Sequence, residues 1–211
     1  KYIYPLQHSK HRVVIISMTL FIASLVAFFT YCTLELYRFK DSSTFLYKVT
    51  QVVPFPIART GREFVAYENY LFELRHYVHY YESQGKLDFN DPKNKEQLAQ
   101  FKQRALDKVI NDAYIKKLAK QNNITVSDQE VKDQIEIVRS QNRLGNNDKV
   151  FEDVLKDFWG WSVDDFHRSL KQEMLTQKVL SSLDTQTQER AKNALAELKG
   201  GADFAAITKK Y

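Results

Sequence analysis

Arg104–Ile135 reads RALDKVINDAYIKKLAKQNNITVSDQEVKDQI, and its punctuation predicts two helices joined at a tight corner. In the first helix an apolar row, Leu98, Phe101, Ala105, Val109 and Ala113, recurs at spacings of three and four. A second row, Leu106, Ile110, Tyr114 and Leu118, runs beside it. Two apolar rows require cover on more than one side, so this helix is expected at the centre of a bundle. Asn122-Asn123 ends it. Ser127-Asp128-Gln129-Glu130 then forms a capping box, in which the hydroxyl and the carboxylate each satisfy the other residue's orphan amide. The helix that follows is expected to bury Val131, Ile135 and Val138.

The same logic extends outward. Asp91-Pro92 marks the start of the long helix, with a capping side chain before a proline at the first position. Upstream, Phe64, Tyr67, Leu71, Leu74, Val78 and Tyr81 trace one face of a helix running from Gly61 to a break at Ser83-Gln84-Gly85. Downstream, Leu144-Gly145-Asn146-Asn147 predicts a loop, and Val150, Phe151, Val154, Leu155 and Phe158 a short helix. Gly160 interrupts, and Ser162 caps a helix that turns Val163, Phe166, Leu170 and Met174 inward as far as Leu183. Thr185 to Gln188 is a further capping box, before a helix ending at Gly200-Gly201 and a last one holding Phe204 and Ile207. Six Gly and four Pro are too few for a turn-rich β fold, and no segment shows strand alternation. The predicted fold class is all-α.

Val13–Leu34, VVIISMTLFIASLVAFFTYCTL, is 22 residues without a formal charge. As a helix it spans about 33 Å, enough for a bilayer's hydrocarbon core. His8, Lys10, His11 and Arg12 precede it, and Tyr31, Tyr37 and Phe39 lie near its end, where amphipathic rings favour the interface. A transmembrane helix over residues 13–36 is expected, with a cytoplasmic tail (1–12) and everything later outside the cell membrane. The apolar run is too long for a cleaved signal peptide. Ala23 and Ala27 form an isolated small-residue pair. Residues 37–60 are expected to be a linker, in which Pro54 and Pro56 hold the segment 41–60 extended and Val52, Val53 and Phe55 dock it onto the next domain. Residues 61–183 form the helical domain, and 184–211 begin another. Lys1 in place of Met suggests a start inside a longer gene product.

The net charge of +5 is concentrated at the front: residues 1–40 carry +4 and the remainder +1. A mixed-sign helical surface excludes the dense basic face of a nucleic-acid binder. One cysteine, Cys32, excludes an internal disulfide and a cysteine zinc site. Glu73 and His76 share a helical face, but no second acidic pair completes a di-metal site; His76 and His79, one turn apart, could chelate a metal but are expected to be two surface histidines of a tyrosine-rich helix. No phosphate loop, nucleophile elbow or HExxH occurs, so neither a cofactor nor a catalytic residue is expected. Asn123-Ile124-Thr125 matches a glycosylation triplet of a kind common by chance. The aromatic crowding of Tyr67, Tyr70, Phe72, Tyr77, Tyr80 and Tyr81 is more informative. One face cannot bury them all. Tyr67 and Tyr81 fall on the main stripe, leaving Tyr70, Tyr77 and Tyr80 as adhesive groups.

Together VVPFPIARTGREFVAYENY, the opening stretch, FEDVLKDFWGWSVDDFHRSLKQEMLTQKVL and ALAELKGGADFAAITKKY resemble the SurA/PrsA/PpiD-type folding factors that act outside the cytoplasmic membrane. The likeness covers roughly residues 52–183, and an anchor ahead of it resembles PpiD-like members. Residues 191–211 look like the first helices of a parvulin-like peptidyl-prolyl isomerase domain. That domain's first strand, with its catalytic His, has no counterpart here, so no catalytic residue is carried over and isomerase activity belongs to a full-length protein. The resemblance implies a SurA-N-like module that shields unfolded or newly exported polypeptides in an apolar groove left open or filled near Phe55, with Tyr70, Tyr77, Tyr80, Phe101 and Phe158 as client-binding residues and the translocation machinery as a further partner. The competing expectation is a non-catalytic subunit bound to one fixed partner in a translocation or envelope complex.

Overall fold

The computed structural model describes residues 4–141 and 147–211, with side chains from residue 11 onward. The chain divides into two compact units, Lys1–Phe55 and Pro56–Tyr211.

In the first unit, α1 (Tyr4–Thr33) widens at Leu34 into a π-helical turn that ends at Phe39. Within His11–Phe39 an 18-residue apolar window has a mean hydropathy of 2.5 and no part of it is buried, so the helix is long and apolar enough to cross a membrane. Its hydroxyls are satisfied locally: Ser17, Thr19, Ser24, Thr30 and Thr33 each donate to a carbonyl three or four residues back. Lys40 then takes a left-handed conformation, φ 53°, and the Asp41 amide donates to the Glu35 carbonyl at 3.0 Å. Ser43 accepts from the Leu46 amide and opens α2 (Thr44–Val52). Val53 is extended, as a residue before proline must be.

That helix corrects the expectation of an extended stretch over 41–60. The prolines shape only the residues beside them. Ser43 caps nine residues whose apolar positions repeat helically, and the chain obeys that local signal.

A second correction follows at once. Pro56–Thr60 (β1) and Glu63–Ala66 (β2) form an antiparallel hairpin, pairing Ala58 with Val65, Arg59 with Phe64 and Thr60 with Glu63. Gly61 alone of the two loop residues has positive φ, +66°, the pattern of a type II′ turn. Phe64 therefore lies in a strand, outside the helical stripe, with the Arg59 guanidinium 5.6 Å from its ring. The helix begins three residues later, as α3 (Tyr67–Ser83). Strands this short hold too few residues to show alternation, and only Thr60 and Val65 among them are deeply buried.

Asp91 caps a single 3₁₀ turn, Pro92–Asn94, that leads into α4 (Lys95–Gln121). Helix α4 packs on α3, α7 and both strands, which makes it central as its two rows require. The first row is the deeper: Phe101, Ala105 and Val109 are buried, whereas Leu106, Ile110 and Leu118 are half-buried and Tyr114 is exposed. Asn123, at φ 54°, turns the corner. The Ser127–Glu130 capping box is present and opens α5 (Asp128–Ser140). The loop foreseen at residues 144–146 lies outside the described residues; Asn147 caps α6 (Asp148–Trp159). Ser162 and Asp165 form another reciprocal box at the start of α7 (Val163–Leu183). Helix α8 (Thr185–Lys199) is capped by Asp184, whose carboxylate accepts the Thr187 amide at 3.0 Å, and not by the expected Thr185 box. In α9 (Phe204–Lys210) Ile207 is buried and Phe204 is exposed.

Gly160 ends α6 at φ +65°, and a β-carbon there would stand 2.9 Å from the His79 ring. His79 Nε2 lies 3.1 Å from the Asp157 carbonyl, so α3 reaches the end of α6 at this point. Gly160→Ala is expected to cost about 2 kcal/mol through left-handed strain and that clash. Urea unfolding should show a lowered midpoint; an unchanged midpoint would refute this account of the corner.

Candidate binding groove

Two adjoining depressions mark the face made by the hairpin, α3, α4 and α7. One, about 530 Å³, has Phe64 and Val65 of β2 and Phe72 of α3 on one side and Val109, Ala113 and Leu175 on the other. The second, about 370 Å³, is lined by Ala119, Ile124, Val126 and Leu175. Both touch Lys116, Lys171 and Leu175, so they form one trough along α4 and α7. The floor is apolar. The rims carry both signs, Lys116, Arg168 and Lys171 against Asp112 and Asp128, while the Glu73 carboxylate lies buried in the lining.

Long-range contacts fix these walls. Arg168 of α7 donates to both carboxylate oxygens of Glu68, at 2.7 and 2.8 Å, and to Asn69 Oδ1 at 2.7 Å. Its guanidinium also stands 4.3 Å from the Phe72 ring centroid. A planar fork meets both demands together, and an ammonium would not. Phe72 in turn stacks on Trp161 with ring planes 4° apart, and Trp161 stacks on His76 at 4.4 Å. The rings thus tie α3 to the α6–α7 corner. On the α4 side, Lys108 bridges Glu73 at 3.4 Å and Asp112 at 2.9 Å. Burial raises the Glu73 carboxyl above its ordinary range despite Lys108. Burial alone would lower Lys108, but the two carboxylates outweigh it and hold the ammonium up. Lys116 has no such surplus: burial lowers it.

The five aromatics expected to bind clients do not share one surface. Tyr70 is 6% exposed and packs edge-on to Tyr67. Phe101 is 4% exposed, in contact with Tyr77, Tyr81 and Phe89. Both belong to the core. Tyr77 is half-buried. Tyr80 and Phe158 each keep about two fifths of their surface in solvent, Tyr80 against Tyr81 and Phe158 against Trp159. Of the trough's own residues, Lys116, Arg168 and Leu175 are not singled out by sequence, and Phe64 is expected on a helical stripe and not at a binding surface. These four come from segments up to 111 positions apart, and no local spacing announces them. Glu73 and His76 do share a face of α3, but Glu73 is engaged with Lys108, and His76, expected at the surface, is instead half-buried because its ring stacks on Trp161. Among the described residues no three His, Cys, Asp or Glu side chains gather.

His76 supplies a test of this packing. Burial lowers its imidazole from 6.5 to about 4, against a hydrogen bond with the Trp159 backbone that favours the charged form. The unfolded chain takes up this proton near pH 6.5 and the folded chain only near pH 4. Stability from the neutral ring is therefore complete above that window and is lost as the pH falls through it. With part of the ring near water the loss is about 2 kcal/mol. Glu73, raised by burial, contributes with the opposite sign, so the readout is a difference. His76→Phe keeps a ring on Trp161 and removes the proton. The stability of the parent chain minus that of the variant should fall by that amount between pH 7 and pH 4 in urea titrations; a constant difference would refute the assignment.

No curated protein and no solved structure matches the chain. Residues 6–180 match the family described as the SurA-like N-terminal domain. The match begins well ahead of the stretch from residue 52 that the sequence likeness covered, and so takes in α1 and α2 as well as the helical module. By that match, over most of its length, the chain belongs to the SurA-like N-terminal domain family.

Proposed function

We propose that this chain is a membrane-anchored folding factor that holds unfolded or newly exported polypeptide segments outside the cytoplasmic membrane. The observation that carries the proposal is the continuous trough on the helical module, within a chain of this family. An apolar floor between rims of both charges suits an extended segment of loosely specified sequence. Area supplies most of the attraction, and the rims supply weak polar contacts for a variable backbone and side chains. Phe64, 69% exposed at the trough's edge, is the anchor a client ring would meet first. Tyr80 and Phe158 extend adhesive surface beyond it. The α1 helix holds the module at the membrane, and the basic residues before Val13 keep its start on the cytoplasmic side. Residues 184–211 open a parvulin-like domain in this reading, and a proline-isomerisation assay on a full-length protein checks that part.

The trough itself is tested with the full chain in lipid nanodiscs. Several unrelated denatured proteins are diluted into it and their aggregation is followed by light scattering. Suppression of all of them is expected. Phe64→Ser, a surface change that leaves the core intact, should weaken suppression about tenfold, the worth of one buried aromatic ring at about 1.5 kcal/mol. No suppression, with one stoichiometric partner recovered instead, would replace this proposal with a dedicated structural subunit. Protease added outside intact cells should remove the module; protection would overturn the orientation.

A further inference from the structure

Helix α2 lies where the apolar helix ends, and its packing places it at a definite height. The π-helical turn and the left-handed Lys40 send the chain back along α1. Phe45 of α2 meets Phe28 of α1 edge-on, ring centroids 6.5 Å apart. Phe28 precedes Leu34, the last residue of the uncharged run, by six positions, or about 9 Å along a helix axis. So α2 sits beside the apolar run and not above it. Its Leu46 and Thr50 are buried, as are Cys32 and Leu36 at the end of α1. At 100° per residue, Phe45, Val49 and Val52 form a neighbouring stripe about 60° wide. The two ends of that stripe are left uncovered, Phe45 52% exposed and Val52 84%, with Val49 half-buried between them. Gln51 points elsewhere and is exposed.

We propose that α2 is an interfacial helix whose Phe45–Val52 stripe is covered by the acyl chains of the outer leaflet. The stripe is continuous with the exposed apolar surface of α1, where Val26 and Phe29 stand at the same level as Phe28. Its height matches the shallow burial, about 5–10 Å, of amphipathic helices lying at the headgroup boundary. The proposal rests on the membrane-anchor reading of α1. It adds that the module's tether is seated in the leaflet and does not swing free above it.

The test uses the full chain with Cys32→Ala, reconstituted in vesicles of phosphatidylethanolamine and phosphatidylglycerol. A nitroxide is placed in turn at Leu25→Cys, Phe45→Cys, Val52→Cys and Gln51→Cys. Collision with oxygen, which concentrates in lipid, is compared with collision with a water-soluble nickel complex. Leu25 reports the anchor alone. Phe45 and Val52 are expected to favour oxygen, as Leu25 does, and Gln51 to favour nickel, so the depth parameter changes sign across α2. If Leu25 favours oxygen while Phe45 and Val52 match Gln51, α2 is in water: the proposal fails and the anchor stands. Shielding of Phe45 from both reagents means that protein covers the stripe, and also overturns the proposal. If Leu25 itself favours nickel, the anchor reading fails and takes this inference with it. Should the Cys32→Ala chain not fold, a photoreactive phenylalanine at the same positions with Cys32 retained gives the same reading: lipid adducts at Phe45, none at Gln51.

Discussion

Helix α4 surrenders its Phe101–Ala105–Val109 row to α3, and that burial organises everything else in the soluble unit. Phe101 closes one end with Tyr81 and Phe89. Near the other end of the α3–α4 contact, the hairpin and α7 lie against α4. Once α3 and α4 are paired, the first turn of α3 presents Glu68 and Asn69 as a fixed acceptor pair. Arg168 can then be held at both. The trough runs along α4 and α7, where α7 is gripped through that fork and not through close apolar contact along its whole length. Only Val179 of α7 is fully buried.

The legible part of the fold was the part written in short-range chemistry. Ser127 with Glu130, Ser162, and the break at Asn122-Asn123 all act within a few residues, and each stands where the spacing placed it. Errors arose where two local signals competed. Asp184 displaced Thr185 as the α8 cap because a carboxylate one residue earlier already satisfies the Thr187 amide. Pro54 and Pro56 masked the nine-residue α2 and the hairpin, since a proline disfavours helix only at its own position and just before it. Tyr70 illustrates another limit. Its place off the main stripe suggested exposure, yet α3 is covered on two sides, by α4 and by α6, and both faces carry rings inward.

The trough was hidden for a different reason. Arg168 and Glu68 are 100 positions apart, as are the two walls they join. Sequence spacing reports what a helix does to itself, and the groove is a product of what helices do to one another. Trp161 shows the same limit. Between Gly160 and Ser162 it looks like a loop residue, but it is the ring through which Phe72 and His76 are stacked. Two polar atoms of this seam, His76 Nδ1 and Trp161 Nε1, are buried without a protein partner. Shape complementarity of the rings, more than hydrogen bonding, therefore sets the packing here.

Helix α7 runs unbroken for 21 residues, about 31 Å. Arg168 clasps α3 near its start, Leu175 floors the trough at its middle, and Asp184 joins it to α8 at its end. Lys178 ties the far half to Glu130 and to the Thr125 carbonyl at the head of α5. Held near its start through Arg168 and in its far half through Lys178, α7 fixes the place of Leu175, the one apolar side chain that the two depressions of the trough share in their lining.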